Sequence, residues 1–214
     1  MKNYIFGYGS LIERESRLRT TPNAKAVFPV QVNGFKRGWF ARTNVSGLTT
    51  TFLGCVEDLG SHTNGVIYEV NENDLLETDK RERGYERIKI NFKDIEDYSS
   101  QLDRSATVWI YANKFTNDKI PESNFPSKDF PIVQSYVDIC LNGCLEIEAA
   151  FPIAKENNFA IDFIKSTKYW SKFWVNDRIY PRRPFIYRPT AYKIDRLLQE
   201  NLSDKTLFNQ IYFE

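Results

Sequence analysis

One histidine, one methionine and three cysteines are all that the 214 residues contain of these three types. A lone His62 cannot build the multi-histidine ligand sets of zinc enzymes, nor does it suggest a histidine-activated nucleophile. An odd cysteine count closes no disulfide framework. Cys140 and Cys144 are spaced like a metal pair on an expected helix, but without further ligands they read as buried small hydrophobes, and no metal is expected. This usage fits a reducing, cytoplasmic compartment. Charge of one sign is also missing. The 29 Lys and Arg face 28 Asp and Glu, so the net charge is +1 and a nucleic-acid binder reliant on a basic excess is excluded. No apolar run approaches the roughly 18 residues that cross a bilayer. Met1-Lys2-Asn3-Tyr4 does not open a stretch of secretory-signal type. No membrane partner is expected.

The chain is rich in rings. Apolar residues make up 42% and aromatic residues 15%, with 12 Tyr and 16 Phe, enough for a sizeable core with a few polar tips to satisfy. The length suits one domain with an appended helical piece. Residues 1–130 are expected to form the domain, and residues 131–214 an extension packed on it. The first half reads as strands: 4–6, 26–32, 36–42, 48–57, 65–70, 85–92 and 106–112, each apolar, aromatic or β-branched. Asn33-Gly34 breaks the second from the third. A short helix is expected after a cap at Asn73 or Asp74, stopping at Gly84. Residues 113–128 read as a loop. Helices follow at 131–148, with Ile132, Tyr136, Ile139, Cys140 and Leu145 on one face, and at 157–166 and 192–201. Strands first and helices later imply an α+β fold, a small mixed β-barrel with flanking helices.

Two segments carry chemistry. The first is Tyr4-Ile5-Phe6-Gly7-Tyr8-Gly9-Ser10-Leu11-Ile12, a strand running straight into a Gly-Tyr-Gly-Ser loop. Two glycines let the backbone turn and approach a ligand closely, and successive N–H groups with the Ser10 hydroxyl can surround a carboxylate or carbonyl oxygen. The same four residues also suit an ordinary tight turn. The second is Asp79-Lys80-Arg81-Glu82-Arg83-Gly84-Tyr85-Glu86-Arg87, which puts carboxylates where a helix end meets a strand. Taken alone, it is equally a solvated charge run.

Taken together, the two segments resemble the γ-glutamylcyclotransferase-like superfamily, with its ChaC-type and γ-glutamylamine cyclotransferase branches. Gly34-Phe35-Lys36-Arg37-Gly38-Trp39-Phe40 and Gly65-Val66-Ile67-Tyr68-Glu69-Val70 extend the similarity, which spans about residues 3–112. The resemblance implies a barrel-like mixed fold, a substrate-binding loop made of Ile5, Phe6, Gly7, Tyr8, Gly9 and Ser10, and Glu82 as the catalytic acid/base, beside an apolar wall such as Tyr8 or Tyr85. Asp79 and Glu86 fall outside the matching position and read as structural. The implied reaction is cyclisation of a γ-glutamyl amide or peptide to 5-oxoproline with release of the amine. It is a lyase-type cleavage that needs no Ser-His or Cys-His pair and no cofactor. The implied partner is a small γ-glutamyl molecule, and the chain is expected as a monomer or homodimer. The alternative is a catalytically silent module holding a small carboxylate in the same pocket. A third reading has the segment 169–188, with Trp174, Asn176, Asp177, Arg178 and the Arg182-Arg183 pair, recognising a larger leaving group. That segment equally suits an aromatic stretch packed on the barrel, an interface or a basic surface.

Overall fold

The computed structural model describes residues 2–42, 49–115, 119–183 and 190–213. Leu48 of the expected 48–57 strand, residues 116–118 of the expected loop, and residues 184–188 of the aromatic and basic segment lie outside these.

Strand β1 (Asn3–Gly7) shows how the molecule is layered. Successive side chains on a strand point to opposite faces. Accordingly Tyr4 and Phe6 enter one apolar cluster, while Ile5 enters another. The first cluster, with Phe28, Val30, Val32, Val108 and Ile110, fills the inside of a curled sheet. The second lies between the outside of that sheet and the helices. It joins Ile5, Trp39, Val66 and Tyr68 to Tyr136, Cys140, Phe163 and Leu198.

The sheet contains β1, β2 (Lys25–Ala41), β3 (Phe52–Val70), β4 (Glu86–Ile90), β5 (Ile95–Asp97) and β6 (Thr107–Ala112), in the order β4-β6-β1-β3-β2-β5. It is mixed: β1 runs parallel to β6 and antiparallel to β3. Its two edge strands are joined by a short link, Ile90 to Ile95, which reaches at most about 18 Å. Six flat strands would set those edges about 24 Å apart. The sheet therefore has to curl. The expected α+β fold with a small mixed barrel is what is found, as an incompletely closed one.

Several expected boundaries are corrected. The chain does not break at Asn33-Gly34. Gly34 adopts φ +85°, the register against β3 shifts between Asn33 and Phe35, and the strand continues through a bulge that a side chain would strain. The expected strands 26–32 and 36–42 are thus one, as are 48–57 and 65–70 in β3. Helix α1 (Arg14–Thr20) was not expected. It is short, and Glu13, an unusual N-cap, starts it by accepting from the Ser16 amide at 2.5 Å. Helix α2 (Glu72–Arg81) begins at Asn71 rather than Asn73 or Asp74, because Asn71 and Asp74 form a reciprocal capping box. It also ends before Gly84, with Glu82 at its C-cap.

The helices that follow are α3 (Gln134–Ala150), α4 (Pro152–Glu156), α5 (Phe159–Ser166) and α6 (Ala191–Asn201). Ile132 and Val133 leave the expected helix to form β7 (Ile132–Val133), which pairs in parallel with β8 (Trp174–Asn176), itself parallel to β9 (Tyr212–Phe213). Helix α3 is buried on most sides, Asp138 and Gln134 included. Gly143 lets it touch the chain after the glycine loop, since a Cβ there would stand 2.4 Å from the Glu13 nitrogen. Cys55, Cys140 and Cys144 are buried free thiols, and burial pushes the first two up to about 12. Among the described residues no helix is long and apolar enough to cross a membrane.

Two outcomes follow from this packing. Gly143→Ala forces α3 away from Glu13 and is expected to cost about 1–3 kcal/mol, measured by denaturant unfolding; an unchanged midpoint would contradict the contact. Burial also holds the phenols of Tyr8, Tyr68 and Tyr136 above their ordinary ionisation range, that of Tyr68 at about 12. The unfolded chain releases these protons near pH 10 while the fold retains them. Above about pH 10 the unfolded state thus binds fewer protons, and stability falls as pH rises, by about 1.4 kcal/mol per tyrosine per pH unit. Thermal unfolding followed with phenolate absorbance should show Tm dropping above that pH, with these phenols ionising only as the protein unfolds.

Candidate active site

The glycine loop is built by fastening its carbonyls. Arg37 on β2 is fully buried and donates from Nη1 to the Tyr8 carbonyl at 3.1 Å. The Gly9 and Ser10 carbonyls accept from the amides of Ile12 (3.0 Å) and Glu13 (3.3 Å) as the chain closes a helical turn. Arg17, buried on α1, donates from Nη1 to the carbonyls of Leu11 (2.9 Å) and Ile12 (2.8 Å). Five consecutive carbonyls are therefore occupied. Among the described residues no hydrogen bond takes up the N–H groups of Gly9, Ser10 or Leu11. A run of backbone donors with its acceptors turned away forms a concave patch of positive potential that favours anions and carbonyl oxygens.

This loop lines one wall of a cavity of about 610 Å³, a size suited to a small ligand. The opposite wall is the turn after α2, where Glu82, Arg83, Gly84 and Tyr85 enter the same space. All six expected loop residues, Ile5 to Ser10, thus contribute atoms to the cavity lining together with Glu82. The Glu82 side chain is three-quarters buried, and its carboxylate accepts from Arg81 Nε at 2.9 Å. Arg81 is itself held by a bond from Nη1 to the Thr20 carbonyl at 3.0 Å. Tyr8 and Tyr85, the alternatives expected for an apolar wall beside Glu82, both line the cavity. Burial raises the Tyr85 phenol to about 12, with the Glu82 charge adding to it. Burial likewise raises Tyr8, aided by Tyr85, Cys55 and Glu82. The Tyr8 hydroxyl donates to the Tyr111 carbonyl at 2.8 Å.

Asp79 and Glu86 are engaged elsewhere. Asp79 accepts from the Tyr111 hydroxyl and from Arg87, both at 2.7 Å. Glu86 pairs with Lys114 at 3.0 Å. Among the described residues no cluster of three or more His, Cys, Asp or Glu has metal-site geometry.

Two further cavity residues come from the C-terminal part of the chain. Tyr136 on α3, assigned only to an apolar helix face, turns its hydroxyl toward the loop, 3.0 Å from where a Gly9 Cβ would stand. Arg183 lies with its guanidinium 6.0 Å from the centre of the Tyr136 ring and also lines the cavity. Tyr136 reads only as part of an apolar helix face, while Arg183 belongs to the basic pair of the segment 169–188; the folding of the C-terminal part across the barrel mouth brings both into the cavity.

Comparison with known proteins gives the family. No curated protein matches the chain. Among solved structures it is similar to one titled gamma-glutamyl cyclotransferase, at 15% identity and TM-score 0.48, covering 74% of this chain and 87% of that one. It is also similar to a yeast gamma-glutamyl cyclotransferase specific to glutathione (12%, TM-score 0.42, 71% and 87% covered) and to YkqA from Bacillus subtilis (15%, TM-score 0.45, 74% and 54%). The model of one family, described as gamma-glutamyl cyclotransferase, AIG2-like, matches residues 5–131, which is more than half of the chain and includes both walls of the cavity. This chain belongs to the AIG2-like gamma-glutamyl cyclotransferase family.

Proposed function

We propose that the protein is a cytoplasmic γ-glutamyl cyclotransferase that converts a γ-glutamyl amide or peptide into 5-oxoproline and a free amine, with Glu82 as acid and base. The observation that carries this reading is the sharing of one cavity by the free N–H groups of Gly9, Ser10 and Leu11 and the Glu82 carboxylate.

The substrate brings its own nucleophile. Its α-ammonium gives a proton to Glu82, and the amine nitrogen then attacks the γ-carbonyl carbon. The new C–N bond closes a five-membered ring; Glu82 returns the first proton to the departing nitrogen as its bond to the γ-carbon breaks, then takes the second proton from the ring nitrogen and passes it to the freed amine, which leaves as its ammonium. No water is consumed and no oxidant is needed, so the step calls for no cofactor. The loop amides stabilise the oxyanion or grip the α-carboxylate, in the role that preorganised donors play in acyl transfer. A folded substrate between two facing walls gains rate from proximity. The ion pair with Arg81 and its anchor on Thr20 hold the carboxylate in position. In this reading residues 1–130 and 131–214 work as one unit, because Tyr136 closes the loop side of the cavity.

The test is a set of γ-glutamyl compounds incubated with purified protein and assayed for 5-oxoproline. Glu82→Gln is expected to lower turnover by about a hundredfold or more with Tm within a few degrees of the parent. Product from the parent and equal turnover by the variant would remove Glu82 from its role. Ligand-induced stabilisation with no product from any compound would favour the silent binding module.

A further inference from the structure

We infer that Arg183 selects γ-glutamyl substrates whose leaving amine carries an anionic group, a carboxylate or a phosphate. This inference rests on the cyclotransferase reading above.

The cavity is lined by four arginines, Arg42, Arg81, Arg83 and Arg183, and by one acid, Glu82. Two of the four are committed to the fold. Arg42 donates to Thr51 and to the carbonyls of Ser123 (3.0 Å) and Phe125 (2.8 Å), and stacks on Phe130. Arg81 holds Glu82 and the Thr20 carbonyl. Arg83 stands exposed at the rim. Arg183 differs from all three: it is half-buried, as Arg42 is, but among the described residues its guanidinium has neither a carboxylate nor a hydrogen-bond acceptor, only the face of Tyr136. A partly desolvated cation without a counter-ion is costly unless a ligand supplies one.

Its position is imposed by the fold. Asp177, 1% exposed, accepts from the Ser135 amide (2.7 Å), the Ser135 hydroxyl (2.6 Å) and the Arg182 amide (2.7 Å). The Arg183 amide then donates to the Ser135 hydroxyl at 3.1 Å. Backbone at 182–183 is thereby tied to the first turn of α3, next to Tyr136. The Tyr136 hydroxyl abuts the loop and its ring meets Arg183; with the γ-glutamyl group held at the loop, as in the reading above, the Arg183 charge falls on the side toward which the leaving amine would extend. Arg183 also lies outside the matched stretch 5–131, in the part of the chain that the family pattern does not prescribe.

Matched substrates isolate the charge. γ-Glutamylglycine is compared with γ-glutamylglycinamide, and γ-glutamylphosphoethanolamine with γ-glutamylethanolamine, by kcat/KM for 5-oxoproline release. The parent is expected to prefer the anionic member of at least one pair by about ten- to hundredfold, the worth of a charge-assisted contact. Which pair shows it distinguishes carboxylate from phosphate. Arg183→Gln should collapse that ratio toward one, Arg183→Glu should invert it, and Arg183→Lys should keep part of it, with Tm used to confirm folding. Product from all four with no preference in the parent, or a preference that Arg183→Glu leaves intact, overturns the inference alone. An equal loss on charged and neutral members also overturns it, because that places Arg183 on the γ-glutamyl moiety. Absence of product from all four removes the cyclotransferase reading, and this inference with it.

Discussion

Arg37 is the cation around which the site is assembled. Its side chain is fully buried and is held by neutral oxygens. Nε donates to Thr167, Nη1 to the carbonyls of Tyr8 and Asn64, and Nη2 to the Asn64 side chain, the Phe163 carbonyl and Ser166, all between 2.7 and 3.1 Å, while the guanidinium stacks 3.8 Å from the Phe163 ring centre. Burial pulls its proton affinity down, yet arginine stays charged in this setting because its intrinsic basicity is so high. The end of α5 contributes acceptors where a helix presents its negative pole. One side chain thus joins the glycine loop, the central strand β3 and a helix from the far part of the chain. Removing it would strand several buried acceptors at once.

This arrangement explains how a loop with two glycines becomes a defined site. Flexible backbone costs entropy to order, and here the order comes from two buried arginines, Arg37 from one side and Arg17 from the other, together with the helical turn that takes up the Gly9 and Ser10 carbonyls; between them the carbonyls are bound and the amides left over. The cavity takes its polarity from this asymmetry. Its acid arrives on a different element. Glu82 sits at the C-cap of α2 because the capping box at Asn71 sets where that helix starts, and ten residues of helix then carry the chain to the opposite wall.

The C-terminal part supplies the remaining boundary. Asp138 and Asp195 hold Arg178 at 2.7 to 2.9 Å, and Asp177 caps the start of α3. These contacts lock residues 177–183 over the helix that faces the loop. The cover and the glycine loop thus form separate parts of one cavity wall.

Much of this was legible in the chain itself. The alternating strands, the position of the glycine loop and the acid some seventy residues later depend on local pattern and on short-range turn chemistry, and both are written into neighbouring residues. The bulge at Gly34 was misread as a strand end, because a glycine marks both and only the pairing partner separates them. The cap at Asn71 was placed two to three residues late because Asn71, Asn73 and Asp74 have similar intrinsic preferences, and the reciprocal bond to Asp74 decides among them. The sequence alone determined the fold class, the family resemblance and the two segments that line the cavity. Tertiary structure alone decided that Arg37 and Arg17 strip the loop of its acceptors, that Tyr136 and Arg183 reach the same cavity, and that the small parallel sheet of β7, β8 and β9 forms. Apart from the Arg17 bonds, which reach carbonyls only five and six residues back, each of those outcomes pairs groups dozens to more than a hundred residues apart, and no local preference encodes a contact whose other half lies that far along the chain.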